Sequence, residues 1–216
     1  MKISYAIPVC NEYKEIEYLL EYLAKHKREQ DEIVVQCDQG NTTPDVYRVL
    51  QELTENGSVS YELIEFPLNN NFAAFKNNLK NNCSGDYIFQ IDADEMVSKY
   101  MVENIGMVLQ YNSVDVLKVP RINTVKGLTQ EHINKWRWGV NEQGWVNFPD
   151  AQKRIYKNDP SIKWSGHQVH GMVEGFKTYV ALPFEERFSI YHNKQINRQE
   201  QQNARYAQIE NERQNG

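Results

Sequence analysis

The first 120 residues alternate between short apolar runs and stretches of helical period, and that alternation fixes the class of fold. The runs cover residues 2–7, 33–35, 59–66, 86–91 and 114–119. Between them Ile16, Leu19, Leu20 and Leu23 recur at i, i+3, i+4 and i+7, and Val46, Val49, Leu50 and Leu53 do the same. That spacing gives each helix one apolar face. Phe72, Phe75 and Leu79 mark one side of a polar helix over 70–82, and a further helix is expected over about 98–110. Strands separated by helices of this length predict an α/β fold, with a mostly parallel sheet and right-handed crossovers. Ligands of such sheets bind outside the carboxyl ends of the strands. Those ends carry Asn11 and Glu12, then Asp38, then Asp92 and Asp94, so these groups are expected to converge on one edge.

After Arg121 the pattern changes. Residues 124–150 are loop-rich and aromatic, with Trp136, Trp138, Trp145 and Phe148. Strand-like runs follow at 152–157, 177–182 and 187–192, then a very polar helix over 195–213. No linker or repeat separates the halves, so residues 1–216 read as one domain: 1–120, an extension over 121–194, and a C-terminal helix over 195–216. A chain of this length buries enough surface to fold without disulfides.

Charge and hydropathy restrict the partners. Lys and Arg number 24 against 29 Asp and Glu, a net charge of −5 that disfavours tight binding to duplex nucleic acid. No apolar run reaches the roughly 18 residues needed to span a bilayer. The opening Met1-Lys2-Ile3-Ser4-Tyr5 begins a strand rather than a secretory signal. Cys10, Cys37 and Cys83 are scattered, as expected in a reducing cytosol. A cytoplasmic protein without a transmembrane segment is expected, with peripheral membrane contact left open.

The sharpest local feature is Asp92-Ala93-Asp94-Glu95 after an apolar strand. Two carboxylates one residue apart suit a hard divalent cation, which also takes substrate phosphates. The order of motifs extends this. Pro8-Val9-Cys10-Asn11-Glu12 follows the first strand and Asp38-Gln39-Gly40-Asn41-Thr42 the second; Lys76-Asn77 lies on a helix, and Gly85-Asp86-Tyr87-Ile88 leads into Asp92-Ala93-Asp94. Together they resemble the family 2 nucleotide-sugar glycosyltransferases of GT-A fold, which carry "P-x-x-N-E", "D-[DS]-G-S-T", "[RK]-N" and "G-D-Y-I-x-x-L-D-A-D" in that order.

The resemblance implies a GT-A domain with a nucleotide-sugar-binding half over 1–120 and an acceptor half over 121–194. It also implies roles. Asp38 would accept the imide N–H of the nucleotide base, while Pro8, Asn11 and Glu12 would wall the nucleoside pocket and Lys76 and Asn77 would edge it. Asp92 would bind the ribose or the water shell of a metal, and Asp94 would ligate the metal directly. The donor implied is a nucleoside-diphosphate sugar, with a UDP-sugar favoured, and the cofactor is Mn²⁺ or Mg²⁺. In the second loop Gln39 stands where that family carries Asp or Ser.

The second half resembles a subset of the family with "P-D-x-Q-x-R-[IL]", "W-x-G-x-V-H-E" and a late "H-x-K". Here these read Pro149-Asp150-Ala151-Gln152-Lys153-Arg154-Ile155, Trp164 through Gly171, and His192-Asn193-Lys194. Gly171 replaces the Glu that would be the general base. Asp150 and Glu174 are the candidate replacements, with Glu185 and Glu186 in reserve. His170 and His192 are candidates to complete a metal shell or orient a diphosphate. Arg154 and Lys194 would offset phosphate charge, and at least one of the four tryptophans is expected to face the acceptor. The reaction implied is inverting transfer to a hydroxyl of a saccharide, a lipid-linked glycan, a protein or a modified base. A degenerate nucleotide- or glycan-binding module and a nucleotidyltransferase are the competing readings. The latter normally has a Gly-rich first loop, which is missing from residues 7–15.

Overall fold

The computed structural model describes the backbone of residues 1–166 and 171–214, and their side chains apart from 205–207 and 209–214. The first half is built from β1 (Ile3–Val9), α1 (Tyr13–His26), β2 (Glu32–Asp38), α2 (Pro44–Glu55), β3 (Glu62–Phe66), α3 (Phe72–Asn81) and β4 (Tyr87–Gln90). Then come β5 (Glu95–Val97), α4 (Lys99–Tyr111) and β6 (Val116–Val119). The second half adds β7 (Arg121–Lys126), α5 (Gln130–Trp136), β8 (Gln152–Lys157), β9 (Lys163–Ser165), β10 (Met172–Glu174), β11 (Tyr179–Ala181), β12 (Ile190–Gln195) and α6 (Ile196–Gln214).

Seven strands form the main sheet in the order β11-β6-β8-β4-β1-β2-β3. Only β8 runs against the rest, antiparallel to both β4 and β6. Successive residues of a strand face opposite sides of the sheet, and both sides are covered. Ile33 and Val35 pack with Leu19, Leu20, Leu50 and Met101 in one core cluster. Val34 packs with Leu79, Ile88, Tyr156 and Trp164 in the other. This double burial explains why β1 and β2 read as unbroken apolar runs.

Local chemistry sets the helix starts. Asn71 accepts from the Ala74 N–H to cap α3, and Ser98 accepts from the Met101 N–H to cap α4. Gly85 lies flat on β1: a Cβ there would sit 2.6 Å from Ser4 Oγ. Only glycine lets the chain come this close before turning into β4.

A second sheet, β5-β12-β7, sets the geometry of the site. In it β12 lies between β5 and β7, with His192 opposite Glu95 on one side and Asn123 on the other. The short strands β5, β9 and β10 are additions to the sequence expectation, and three further elements depart from it. Residues 121–126 form β7, although only Ile122 and Val125 are apolar there. Residues 130–136 form α5 inside the expected loop, fixed by a capping box between Thr129 and His132. The third strand begins at Glu62 rather than residue 59, and Val59 is buried ahead of it. No helix among the described residues is long and apolar enough to cross a membrane.

Candidate active site

The carboxyl ends of β1, β2 and β4 share one edge of the sheet, because these neighbouring strands are parallel. Asp38, the last residue of β2, is buried there. Its Oδ1 accepts the Leu68 N–H at 2.9 Å, and its carbonyl accepts the N–H groups of Asn41 and Thr42. Gly40 at φ +82° makes that turn possible. The Cys10 carbonyl accepts the Thr43 N–H, which ties the loops after β1 and β2 together. Pro8 lies within β1 and Asn11 is exposed in the loop beyond it. Glu12 closes that loop: Oε2 accepts the N–H groups of Cys10 and Asn11 at 3.0 Å, and Oε1 accepts Arg198 of α6 at 2.6 Å.

Asp92 and Asp94 have different surroundings. Asp92 Oδ2 pairs with Arg154 Nη2 at 2.8 Å, and Oδ1 lies 3.9 Å from Lys76 Nζ. Burial opposes its ionisation, but Arg154 and Lys76 outweigh burial and hold the carboxyl well below its usual range. Glu95 is fully buried and accepts Arg154 at 2.6 Å, Arg121 at 3.1 Å and the Asp92 N–H at 3.0 Å. Arg121 then reaches Asp150 at 2.8 Å. The result is a chain of alternating charge, Asp92–Arg154–Glu95–Arg121–Asp150, that joins the two halves of the molecule. Asp150 also accepts Asn123 at 2.8 Å and Gln152 at 2.6 Å. Burial opposes its charge, yet Arg121 and these amides keep its pKa low.

Asp94 faces His192, with Oδ2 at 3.5 Å from Nε2, and lies 3.7 Å from Arg198 Nη2. His192 Nδ1 meets Asn123 Oδ1 at 3.0 Å. The Asn123 amide N–H donates to Asp150, so its oxygen must be the acceptor and Nδ1 carries the proton. That leaves Nε2 directed at Asp94. An imidazole held this way presents Nε2 to a cation as a second ligand beside a carboxylate. The chemistry of the pair, one carboxylate and one imidazole, fits a divalent ion, which Asp94 and His192 would hold. Among the described residues no group of three or more His, Cys, Asp or Glu side chains converges as a metal cage.

The remaining candidates separate. Lys76 stands 4.2 Å over the Trp164 ring, and burial lowers its pKa. Lys194 is also lowered by burial, and it donates to Gln202. Asn77 spans from α3 to β9: its amide donates to the Trp164 carbonyl and accepts the Trp164 N–H, both at 2.8 Å. With both ends of the amide engaged, it serves as a structural clamp. Glu174 is exposed on β10 opposite Lys163, and no contact among the described residues brings it to the carboxylate chain. Glu185 and Glu186 are exposed at a short 3₁₀ turn, with Glu185 paired to Arg187 at 2.8 Å. His170 lies outside the described residues. The parts played by Glu95, Arg121, Asn123 and Arg198 emerge only from the structure. For Glu95 the available signal was a charge placed at the head of the short run Glu95-Met96-Val97.

Comparison with known proteins is consistent with this geometry. The model of glycosyl transferase family 2 matches residues 4–199. A search of curated proteins finds no match. Among solved structures, S. aureus TarS 1-349 is similar at a TM-score of 0.63 and 16% identity, over 89% of this chain and 60% of that one. S. aureus TarS is similar at 0.62 and 16%, over 89% and 37%. TarS 1-349 in complex with UDP is similar at 0.60 and 16%, over 89% and 60%. The present chain thus spans about three fifths of TarS 1-349, and the likeness is one of fold.

Proposed function

This chain belongs to glycosyl transferase family 2, and we propose that it transfers a sugar from a nucleoside diphosphate, with UDP favoured, to a hydroxyl acceptor. One observation carries the reading: Asp38 and Asp94 stand on the same carboxyl edge, and the second half of the chain closes that edge with His192 and Asp150. TarS 1-349 has the same fold and was solved with UDP.

Asp38 accepts the imide N–H of uracil, a donor that a carboxylate satisfies. Asp92, locked by Arg154, takes a ribose hydroxyl through its remaining lone pairs. Asp94 and His192 would hold Mn²⁺ or Mg²⁺, and an imidazole ligand would favour Mn²⁺. When bound, such an ion neutralises the charge that develops on the departing diphosphate. Lys76 and Lys194 add positive charge at this edge. Asp150 accepts the proton of the attacking hydroxyl. In-line attack with a single base inverts the anomeric centre.

The test is release of nucleoside diphosphate across common nucleotide sugars, with and without Mn²⁺. At least one donor is expected to turn over only with metal, and Asp94→Asn to abolish that turnover while the chain stays folded. Full activity in Asp94→Asn would overturn the reading.

A further inference from the structure

The two edges of the main sheet differ in charge. β3, at one edge, carries Glu62 and Glu65. β11, at the other, has no acidic residue and stands among lysines. Lys177 lies just ahead of it, Lys118 of β6 is opposite its Ala181, and Lys153 of β8 is opposite Lys118 in turn. Like charges directly opposite one another on paired strands repel. Among the described residues neither ammonium makes an ion pair with a carboxylate; Lys153 donates only to the Val173 carbonyl, at 2.9 Å. Burial and the like charge of Lys118 lower the Lys153 pKa, against the opposing pull of Glu174. Lys163 on β9 adds a further exposed ammonium, set opposite Glu174.

The lysines surround an aromatic surface. Lys118 Nζ stands 4.2 Å over the Tyr179 ring and Lys153 Nζ 4.6 Å over the Phe176 ring. The two rings meet edge to face at 6.0 Å. Tyr179 and Met172 are each 56% exposed, and Val180 is 37% exposed. The backbone beneath is fixed: Asp115 Oδ2 accepts the N–H groups of Lys177 and Thr178 at 2.8 and 3.0 Å, and Lys157 pairs with the same carboxylate at 3.0 Å.

Uncompensated ammoniums around exposed aromatic rings call for an occupant with anionic groups over an apolar layer. An anionic bilayer has that order of layers: lysine stems lie along apolar surface while their heads reach phosphates, and tyrosine rings settle at the headgroup level. A second copy of the chain fits poorly, because a two-fold contact through this face would set the lysines of one copy against those of the other.

We propose that Lys118, Lys153, Lys163 and Lys177, grouped around Phe176 and Tyr179, dock this face of the chain on an anionic lipid bilayer. Neither a sugar donor nor a metal enters the inference, so it stands apart from the transferase reading.

The experiment is co-sedimentation of the intact chain, without nucleotide or metal, with vesicles of phosphatidylcholine alone and of phosphatidylcholine mixed with phosphatidylglycerol. Binding is expected to the mixed vesicles only, and it should fall as added salt shortens the reach of the charges. Lys118→Gln with Lys153→Gln should weaken it at least about tenfold. Lys163→Gln with Lys177→Gln removes two exposed charges, should weaken it as well, and serves if the first pair does not fold. Tyr179→Ser should weaken it at constant charge. Lys99→Gln, on α4, controls for loss of charge elsewhere and should bind as the unaltered chain does. No binding to the mixed vesicles, equal binding to both kinds, or undiminished binding by the folded lysine variants or by Tyr179→Ser would overturn the proposal. Retention of single-stranded RNA without vesicle binding would overturn it too. Sugar turnover is not read in this assay, so its failure leaves the transferase reading where it stands.

Discussion

At the scale of single residues, the site is decided by which carboxylates keep a free lone pair. Asp150 accepts Arg121 and Asn123 on Oδ2 and Gln152 on Oδ1. These contacts keep it ionised at neutral pH, and they also make it a mild base, because a low pKa weakens the pull on a proton. Asp150→Asn is expected to lower kcat by about 10²–10⁴-fold, with donor affinity unchanged in a UDP titration. An unaltered kcat would exclude Asp150 as the base. Glu95 makes a different kind of contribution. It compensates Arg154 and Arg121 from a fully buried position, so Glu95→Gln leaves two guanidinium groups with one carboxylate fewer. Breaking a buried pair from one side costs about 3–5 kcal/mol. The urea midpoint of Glu95→Gln should fall accordingly, whereas Asp150→Asn, farther toward solvent, should change it much less.

At the scale of elements, the sheet was legible in the sequence wherever burial on both faces forced continuous apolar runs. β1, β2, β4 and β6 coincide with such runs, and α1 and α2 with the helical stripes. The candidate edge was legible for the same reason, since Asp38 and Asp94 follow such runs. The strands β5, β7, β9 and β10 were not legible. Each is short or mostly polar; β5 and β7 are held by pairing with residues distant in the chain, as His192 pairs with Glu95 and Asn123, while β9 and β10 are three-residue strands that pair with each other. The charge chain was hidden likewise, because Arg121 and Arg154 meet Glu95 only through tertiary structure. Glu32 shows the opposite end of the main sheet at work. It opens β2 and accepts Lys2, Ser4 and Ser84, and these bonds outweigh burial and lower its pKa to about 2. A depressed carboxylate stabilises the fold above its unfolded pKa, and that stability is lost as pH falls through the folded value. The loss should therefore develop between about pH 4.5 and pH 2. Glu32→Gln should remove this acid-side slope. Screening at a partly exposed site limits its cost at pH 7 to about 1 kcal/mol. Melting should shift by about 2–4 °C, with turnover unchanged because Glu32 lies at the far end of the strands. An identical pH–melting curve in the variant would show that Glu32 has no such part.

At the scale of the whole molecule, shared sheets and a returning helix add to the charge chain in closing the two halves on each other. β8 inserts between β4 and β6, β12 inserts between β5 and β7, and Arg198 of α6 reaches back to Glu12. The candidate edge is therefore part of one packed body, and a nucleotide bound there would stabilise the whole fold. For a ligand held only by the native state the gain is RT ln(1 + [L]/Kd), about 2.7 kcal/mol at a hundredfold excess over Kd. In a chain of this size that raises melting by roughly 5–11 °C. UDP with Mn²⁺ should give a shift of this order. UDP alone should give less, because Asp94 and His192 then meet the diphosphate without a bridging charge. Asp38→Asn should lose most of the shift, since an amide offers the uracil imide a weaker and differently oriented acceptor. Arg198→Ala should keep it: Arg198 stands 3.7 Å from Asp94 and competes with a cation for the same carboxylate. An undiminished shift in Asp38→Asn would remove Asp38 from the base pocket, and equal shifts with and without Mn²⁺ would remove the metal from the diphosphate site.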